Sequence, residues 1–302
     1  MEGILDYNVL GGKYLRPKLL LTTYHALLPQ GRDTPSLDIQ PVYRLAWAIE
    51  MLQAVFLMSD DIMDQSFLRR GKPCWFRKPE IGLRGFNDAL LLDNLITTVV
   101  KTDWLQKPTQ CHLILDAFHQ ARIATILGQH LDLVSAKRVA EFTPQLYAEI
   151  VRLKTSHYTL YLPSVLALLA TGYHGGAWKD PDPLNQFFQQ VAEKAGFLFQ
   201  VTVGTDIAEG KCTWLSATAL QQLQQTSQSA QLTEFKENFG KPDEGAVAQV
   251  VRLYQELDIP GQYEDLVNRG EADLNSLINQ CPLTEAAPVL TKFFSSVIKR
   301  SR

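Results

Sequence analysis

The sequence is poor in the features that mark a specialised compartment or a stapled fold. Its four cysteines (Cys74, Cys111, Cys212, Cys281) lie far apart, with no Cys-x-x-Cys pair and no histidine cluster beside them. That spacing argues against a zinc site or a disulfide framework and fits a reducing compartment. Neither sign of charge is in excess: 29 Lys+Arg against 32 Asp+Glu leave a formal net charge of −3 over 302 residues. The concentrated basic face of a nucleic-acid binder is therefore missing. The longest apolar run, around 158–171, is too short to span a bilayer and contains Pro163. The opening eight residues carry two acids and no base, unlike a secretory signal or a transit peptide. A cytoplasmic protein without a membrane span is the expectation. Asn-Gly and Asp-Gly hairpin pairs and alternating β-branched runs are absent, and so is any low-complexity tract.

What remains is helical. Hydrophobic residues make up 46% of the chain, enough to offset the conformational entropy of ordering it. Leu45, Ile49, Leu52, Val55, Phe56 and Met63 recur at three- and four-residue spacing, as do Leu115, Phe118, Ile123, Ile126 and Leu131. The pattern predicts helices near 14–28, 41–66, 87–104, 109–135, 142–156, 157–172, 184–204, 213–224, 242–257, 261–279 and 284–300. Breakers separate them: Pro29–Pro35, Gly71-Lys-Pro73, Lys78-Pro79, Gly175-Gly176 and Asp180–Pro183. The Gln- and Ser-rich stretch 221–231 reads as a surface connector. No linker or repeat divides the chain, so a single all-α domain over 1–302 is expected.

The most informative segment is Ser59-Asp60-Asp61-Ile-Met-Asp64, where a strongly apolar helix ends in three carboxylates. Asp60 and Asp64 are one helical turn apart. Like charges there repel, and the helix dipole adds to the cost; a bound cation removes both penalties. Carboxylate oxygens suit Mg²⁺, which takes one or two of them together with waters and phosphate oxygens. Five residues on, Arg69-Arg70-Gly71-Lys72 forms a cationic turn, and guanidinium groups bind phosphate bidentately. Two phosphate sites follow, one bound through metal and one directly. A solvated acidic helix end neutralised by the two arginines is the bland alternative. Upstream, Gly11-Gly12-Lys13-Tyr14-Leu15-Arg16 opens a helix with two cations on one face, a second anion site.

Taken in order, Gly-Gly-Lys-x-x-Arg, Asp-Asp-x-x-Asp and Arg-Arg-Gly resemble the trans-isoprenyl diphosphate synthases, the farnesyl diphosphate synthases of eukaryotes most of all. Pro73-Cys-Trp75, Asn87-Asp-Ala89, Gly128-Gln-x-Leu-Asp132, Lys154-Thr155, Tyr161-Leu-Pro163, Gly204-Thr-Asp-Ile207, Lys211-Cys-x-Trp214 and the basic tail Lys299–Arg302 extend the likeness nearly end to end. The resemblance implies an all-α isoprenoid synthase-type bundle around a cavity, usually homodimeric. It also implies Mg²⁺-dependent condensation of an allylic diphosphate with isopentenyl diphosphate, using two or three metal ions. Carried over, Asp60, Asp61 and Asp64 would hold metal and the allylic diphosphate with Arg69. Lys13, Arg16 and Arg70 would hold isopentenyl diphosphate, with Gln53 nearby. Lys154, Thr155 and Gln200 would face the allylic cation, Lys211 would reach the allylic diphosphate, and Gln129 and Asp132 would line the cavity.

The chain departs from that pattern in its last third. The family carries a second Asp-Asp-x-x-Asp and a Gly-Lys loop before Gly-Thr-Asp-Ile, whereas here Gln200-Val-Thr-Val leads straight into Gly204-Thr-Asp-Ile207. Only Asp206 remains nearby as a carboxylate. The chain also starts just before Gly11-Gly12, without the N-terminal helical segment the family normally has. A synthase impaired in ionisation, a non-catalytic partner of a full-length synthase, and a terpene synthase-like enzyme are the three roles this leaves. Retention of Lys13, Arg16 and Arg70 counts against the third. In farnesyl synthases the positions five and four before the first aspartate are bulky and floor the pocket; here Phe56 keeps that floor while Val55 leaves it less filled, so a C15 product is expected, with C20 the alternative.

Overall fold

The computed structural model describes residues 2–28, 38–173, 182–200, 206–226, 228–283 and 287–298. The breaker stretches 29–37 and 174–181, the shortened segment 201–205 and the basic tail lie outside those residues. Internal contacts group the chain into two units. One holds Met1–His119 with Pro163–Pro181, the other Gln120–Leu162 with Asp182–Arg302.

The first unit is built on α3 (Gln40–Met63), a helix of 24 residues with Pro41 in its first turn and no glycine or proline beyond it. It packs against α2 (Leu15–Leu27) and α4 (Arg84–Trp104), burying Leu45, Ile49, Leu52 and Met58 on one side and Leu92, Ile96 and Val100 on the other. Arg44 of α3 donates to Asp103 of α4 through both Nε and Nη2, each at 2.5 Å. By length and composition α3 is apolar enough to cross a membrane, yet 56% of its most apolar stretch is buried against these neighbours. A short helix α1 (Glu2–Asn8) stands before the glycine pair, where no helical segment had been expected.

The second unit centres on a core of Phe142, Tyr147, Val151, Leu220, Leu223, Phe235, Val250, Leu253 and Ile259. Around it stand α6 (Pro144–Val151), α8 (Pro183–Gln200), α9 (Asp206–Glu209), α10 (Trp214–Gln225), α11 (Ser229–Asn238), α12 (Glu244–Glu256) and α13 (Ile259–Asn279), followed by α14 (Ala287–Ile298). Two helices had been expected over 142–172. The backbone instead runs as one continuous helix, because α6 passes into a π-helix over Arg152–Tyr161 and then into α7 (Leu162–Ala170). Wide π turns hide from a search at the α-helical period, and they gather at functional sites.

The connector expected over 221–231 is helical at both ends. In α11 only Phe235 is fully buried, so no apolar stripe announced it. One strand pair exists among the described residues: Leu68–Arg69 (β1) pairs antiparallel with Lys72–Pro73 (β2). Arg70 and Gly71 form its two-residue turn, both in the left-handed region (φ 54° and 75°). Such a turn usually takes Asn-Gly or Asp-Gly; arginine at its first position left no hairpin signal in the sequence.

Candidate active site

In the first unit the two adjacent arginines leave the hairpin in different directions. Arg69 sits on β1 and turns to the end of α3. Its Nε donates to Asp61 Oδ1 at 2.9 Å, its Nη2 donates to the same oxygen, and Asp60 Oδ2 lies 3.7 Å away. Asp61 is almost fully buried in this contact, and burial, followed by the Asp61 charge, pushes the Cys74 thiol up to about 11. The middle carboxylate of the acidic run, expected as a metal ligand, is here paired with Arg69. Asp60 and Asp64 remain one turn apart at the helix end, with the Asp64 N–H donating to the Asp60 carbonyl at 2.8 Å.

Arg70 occupies a backbone conformation that non-glycine residues seldom adopt. Its Nη1 donates 2.8 Å to the carbonyl of Leu10, tying the hairpin to the glycine turn that starts α2. That turn is fixed from within as well. Gly11 has φ 84°, Tyr14 has φ 52°, and the Gly11 N–H donates to the Tyr14 hydroxyl at 2.8 Å. Lys13 is exposed and Arg16 half-buried on the following turn, while Gln53 lies half-buried on α3. A cleft partly open to solvent adjoins the hairpin and is lined by Tyr7, Gly11, Met58, Asp61, Arg69 and Arg70 among others. Trp75 closes its wall, with Nε1 donating to the buried Asp88 at 2.9 Å.

In the second unit the π-helix presents Lys154 and Thr155. Lys154 Nζ lies 2.7 Å from Asp132 Oδ2 of α5 (Pro108–Ser135), and Thr155 Oγ1 donates 3.2 Å to Gln200 Oε1 at the end of α8. Gln129 carries a buried Nε2 with no acceptor among the described residues. Lys211 Nζ is 3.1 Å from Glu209 Oε2. Burial raises the Asp206 carboxyl, opposed by the charge of Lys211.

Two glycines let neighbouring helices reach this π-helix. A Cβ on Gly128 would fall 2.3 Å from the backbone nitrogen of Lys154, and one on Gly196 would fall 2.0 Å from Ser156 Oγ. Gly128→Ala has a backbone atom in its way, so α5 must retreat from Lys154. Overpacking of this kind costs about 1–3 kcal/mol. A thermal melt should show several degrees of loss; an unchanged melting temperature would contradict the close approach.

Sequence reasoning missed Glu50. This carboxylate on α3 is only 2% exposed, and burial raises its pKa against the charges of Arg16 and Arg70. Among apolar neighbours in a core helix it gave no signal of its own. Gly196 was missed too, because a glycine within a helix is ordinary until its neighbour is known.

The donor set fits magnesium better than a softer ion. Among the described residues no three His, Cys, Asp or Glu side chains form a metal cage. Asp60 and Asp64 alone offer two hard oxygen ligands, the number Mg²⁺ takes when water and phosphate complete its shell.

Comparison with known proteins agrees with this geometry. The polyprenyl synthetase family model matches residues 1–257. The chain is 35% identical to "Farnesyl pyrophosphate synthase 2" of Lupinus albus and 37% identical to "Farnesyl pyrophosphate synthase" of Rattus norvegicus. All of this chain and 90% and 88% of those proteins are covered. Both matches run over 321 aligned positions against 302 residues here, so each relative carries residues that this chain lacks. The crystal structure of T. brucei farnesyl diphosphate synthase superposes with a TM-score of 0.86 at 32% identity, covering 99% of this chain and 90% of that one. A match over most of the chain, together with full-length relatives above 30% identity, means that the chain belongs to the polyprenyl synthetase family.

Proposed function

We propose that the chain is a Mg²⁺-dependent prenyltransferase that joins isopentenyl diphosphate to dimethylallyl or geranyl diphosphate, yielding farnesyl diphosphate. The observation that carries this reading is the divergence of Arg69 and Arg70. One guanidinium stands beside Asp60 at the end of α3, the other beside the glycine turn, so one hairpin serves two separate anion sites. A condensing enzyme needs two diphosphates held apart; an enzyme that only ionises one does not. A non-catalytic partner would have no use for either.

In this reading Asp60 and Asp64 hold Mg²⁺, and Arg69 and Lys211 bind the allylic diphosphate. Mg²⁺, when bound, supplies Lewis-acid stabilisation of the departing diphosphate. Lys13, Arg16, Arg70 and Gln53 bind isopentenyl diphosphate. Asp132 neutralises Lys154 and fixes where its ammonium points, while Gln200 orients the Thr155 hydroxyl. These fixed dipoles suit an allylic carbocation, because they need no reorganisation when charge appears. Gln129 has an amide proton to offer to a bound group. Phe56, one turn before Asp60, floors the pocket and favours a C15 product, while Val55 leaves that floor less filled.

A cytoplasmic homodimer, or a heterodimer with a full-length synthase, completes the proposal. Leu83, Phe86 and Leu90 form an exposed apolar stripe at the start of α4, and Ile123, Ile126 and Leu127 another on α5. Stripes of this kind suit burial against a second chain.

The test is Arg70→Ala. Losing a charged hydrogen-bond partner costs about 1.5–3 kcal/mol, roughly 10- to 150-fold in affinity. Calorimetry should show that loss for isopentenyl diphosphate and little change for geranyl diphosphate. The reverse pattern would refute the division into two sites.

A further inference from the structure

Among the described residues, Glu50 is a buried carboxylate near the anion sites of the first unit to which the roles above give no part. It lies on the same face of α3 as Gln53, three residues earlier, and is only 2% exposed. Its neighbourhood is defined by Gly12. A Cβ built there would meet Arg70 Nη2 at 2.9 Å, Arg70 Cζ at 3.2 Å and Glu50 Oε2 at 3.5 Å. The guanidinium and the carboxylate thus flank one glycine, and Arg16 acts electrostatically on the same carboxylate. Three segments far apart in sequence converge on it: the glycine turn with the start of α2, the middle of α3, and the turn of the hairpin.

We propose that Glu50 is a positioning residue for isopentenyl diphosphate, its buried carboxylate holding the Arg16 and Arg70 guanidinium groups in place beside Gly12. The proposal rests on the assignment of those arginines to that substrate. Two like charges held close without ligand repel each other, and a flexible arginine would turn toward water. One fixed anion beneath them removes the repulsion and keeps their outer faces ready for a diphosphate. A buried charge is costly unless it is paired, so a carboxylate at this depth is coupled to its cations. Arg70 is already restrained by the Leu10 carbonyl and by its positive φ. Glu50 adds the charge that restraint alone lacks.

The experiment measures affinity, so it does not depend on turnover. Glu50→Gln keeps shape and removes charge. It should weaken isopentenyl diphosphate binding about tenfold in calorimetry and leave Mg²⁺-dependent geranyl diphosphate binding within about twofold. In an Arg70→Ala background the same change should cost about threefold or less, because residues that act through each other are not additive. Gly12→Ala is the second variant. It leaves Glu50 in place, displaces the guanidinium with a methyl group, and should reproduce the selective loss. Unchanged or tighter isopentenyl binding in Glu50→Gln would overturn the proposal, as would equal losses for both ligands or full additivity with Arg70→Ala. If Arg70→Ala itself leaves isopentenyl binding intact, the assignment of Arg70 fails first, and the role of Glu50 falls with it.

Discussion

Replacing Asp60 by alanine should abolish Mg²⁺-dependent binding of geranyl diphosphate. Asp60 and Asp64 are carboxylates one turn apart at the end of α3, and Asp61 between them pairs with Arg69. Mg²⁺ dehydrates reluctantly and relies on one or two carboxylates, so removing one of two leaves too little. No second aspartate-rich motif exists in this chain to compensate. Titration with and without Mg²⁺ should therefore give equal, weak binding in Asp60→Ala. Asp61→Asn makes the contrast: it frees Arg69 and weakens the diphosphate contact, yet the response to Mg²⁺ should persist. An undiminished Mg²⁺ effect in Asp60→Ala would refute the acidic run as the metal site.

The largest gain is expected from restoring the second aspartate-rich block that the family resemblance implies. Inserting the Asp-Asp-x-x-Asp block between Gln200 and Val203 should raise the single-turnover rate by roughly two to three orders of magnitude, since each 1.36 kcal/mol of transition-state stabilisation is worth about tenfold. Binding of the allylic diphosphate should change much less. The ground state can rest on Asp60, Asp64, Arg69 and Lys211, whereas the charge that builds as the C–O bond breaks calls for a fuller set of metal ligands. Rapid-quench measurements on the native and inserted chains decide it. Equal rates would mean that the native chain supplies the missing ligand elsewhere.

How much of this was legible beforehand depends on the period of the signal. Helix α3 was plain, because its apolar residues repeat at α-helical spacing and its end is marked by acids. Lys13, Arg16, Asp60, Asp64, Arg69 and Arg70 were readable as charged groups, and family order gave them roles. What stayed hidden was direction. That Asp61 pairs with Arg69 follows from a hairpin whose turn uses a left-handed arginine, and no spacing rule reports a positive φ. The π-helix was invisible for a related reason: its wider turns break the three- and four-residue rhythm by which helices are found. Glu50 was hidden by burial, since a single acid in an apolar stretch carries no pattern.

The unbroken length of α3 has a further consequence. Glu50, Gln53, Asp60 and Asp64 all hang from one rod with no glycine or proline in its interior. Ten residues of α-helix separate Glu50 from Asp60, about 15 Å at the standard rise. The helix therefore acts as a ruler, fixing the interval between the two anchoring ends before any ligand arrives. Sequence drift along it can change side chains freely on the outer face, but it cannot change their number. Adding or removing one residue between Gln53 and Asp60 would swing one end by about 100° relative to the other. The spacing between the motifs on α3 is therefore as much a part of the site as the residues themselves.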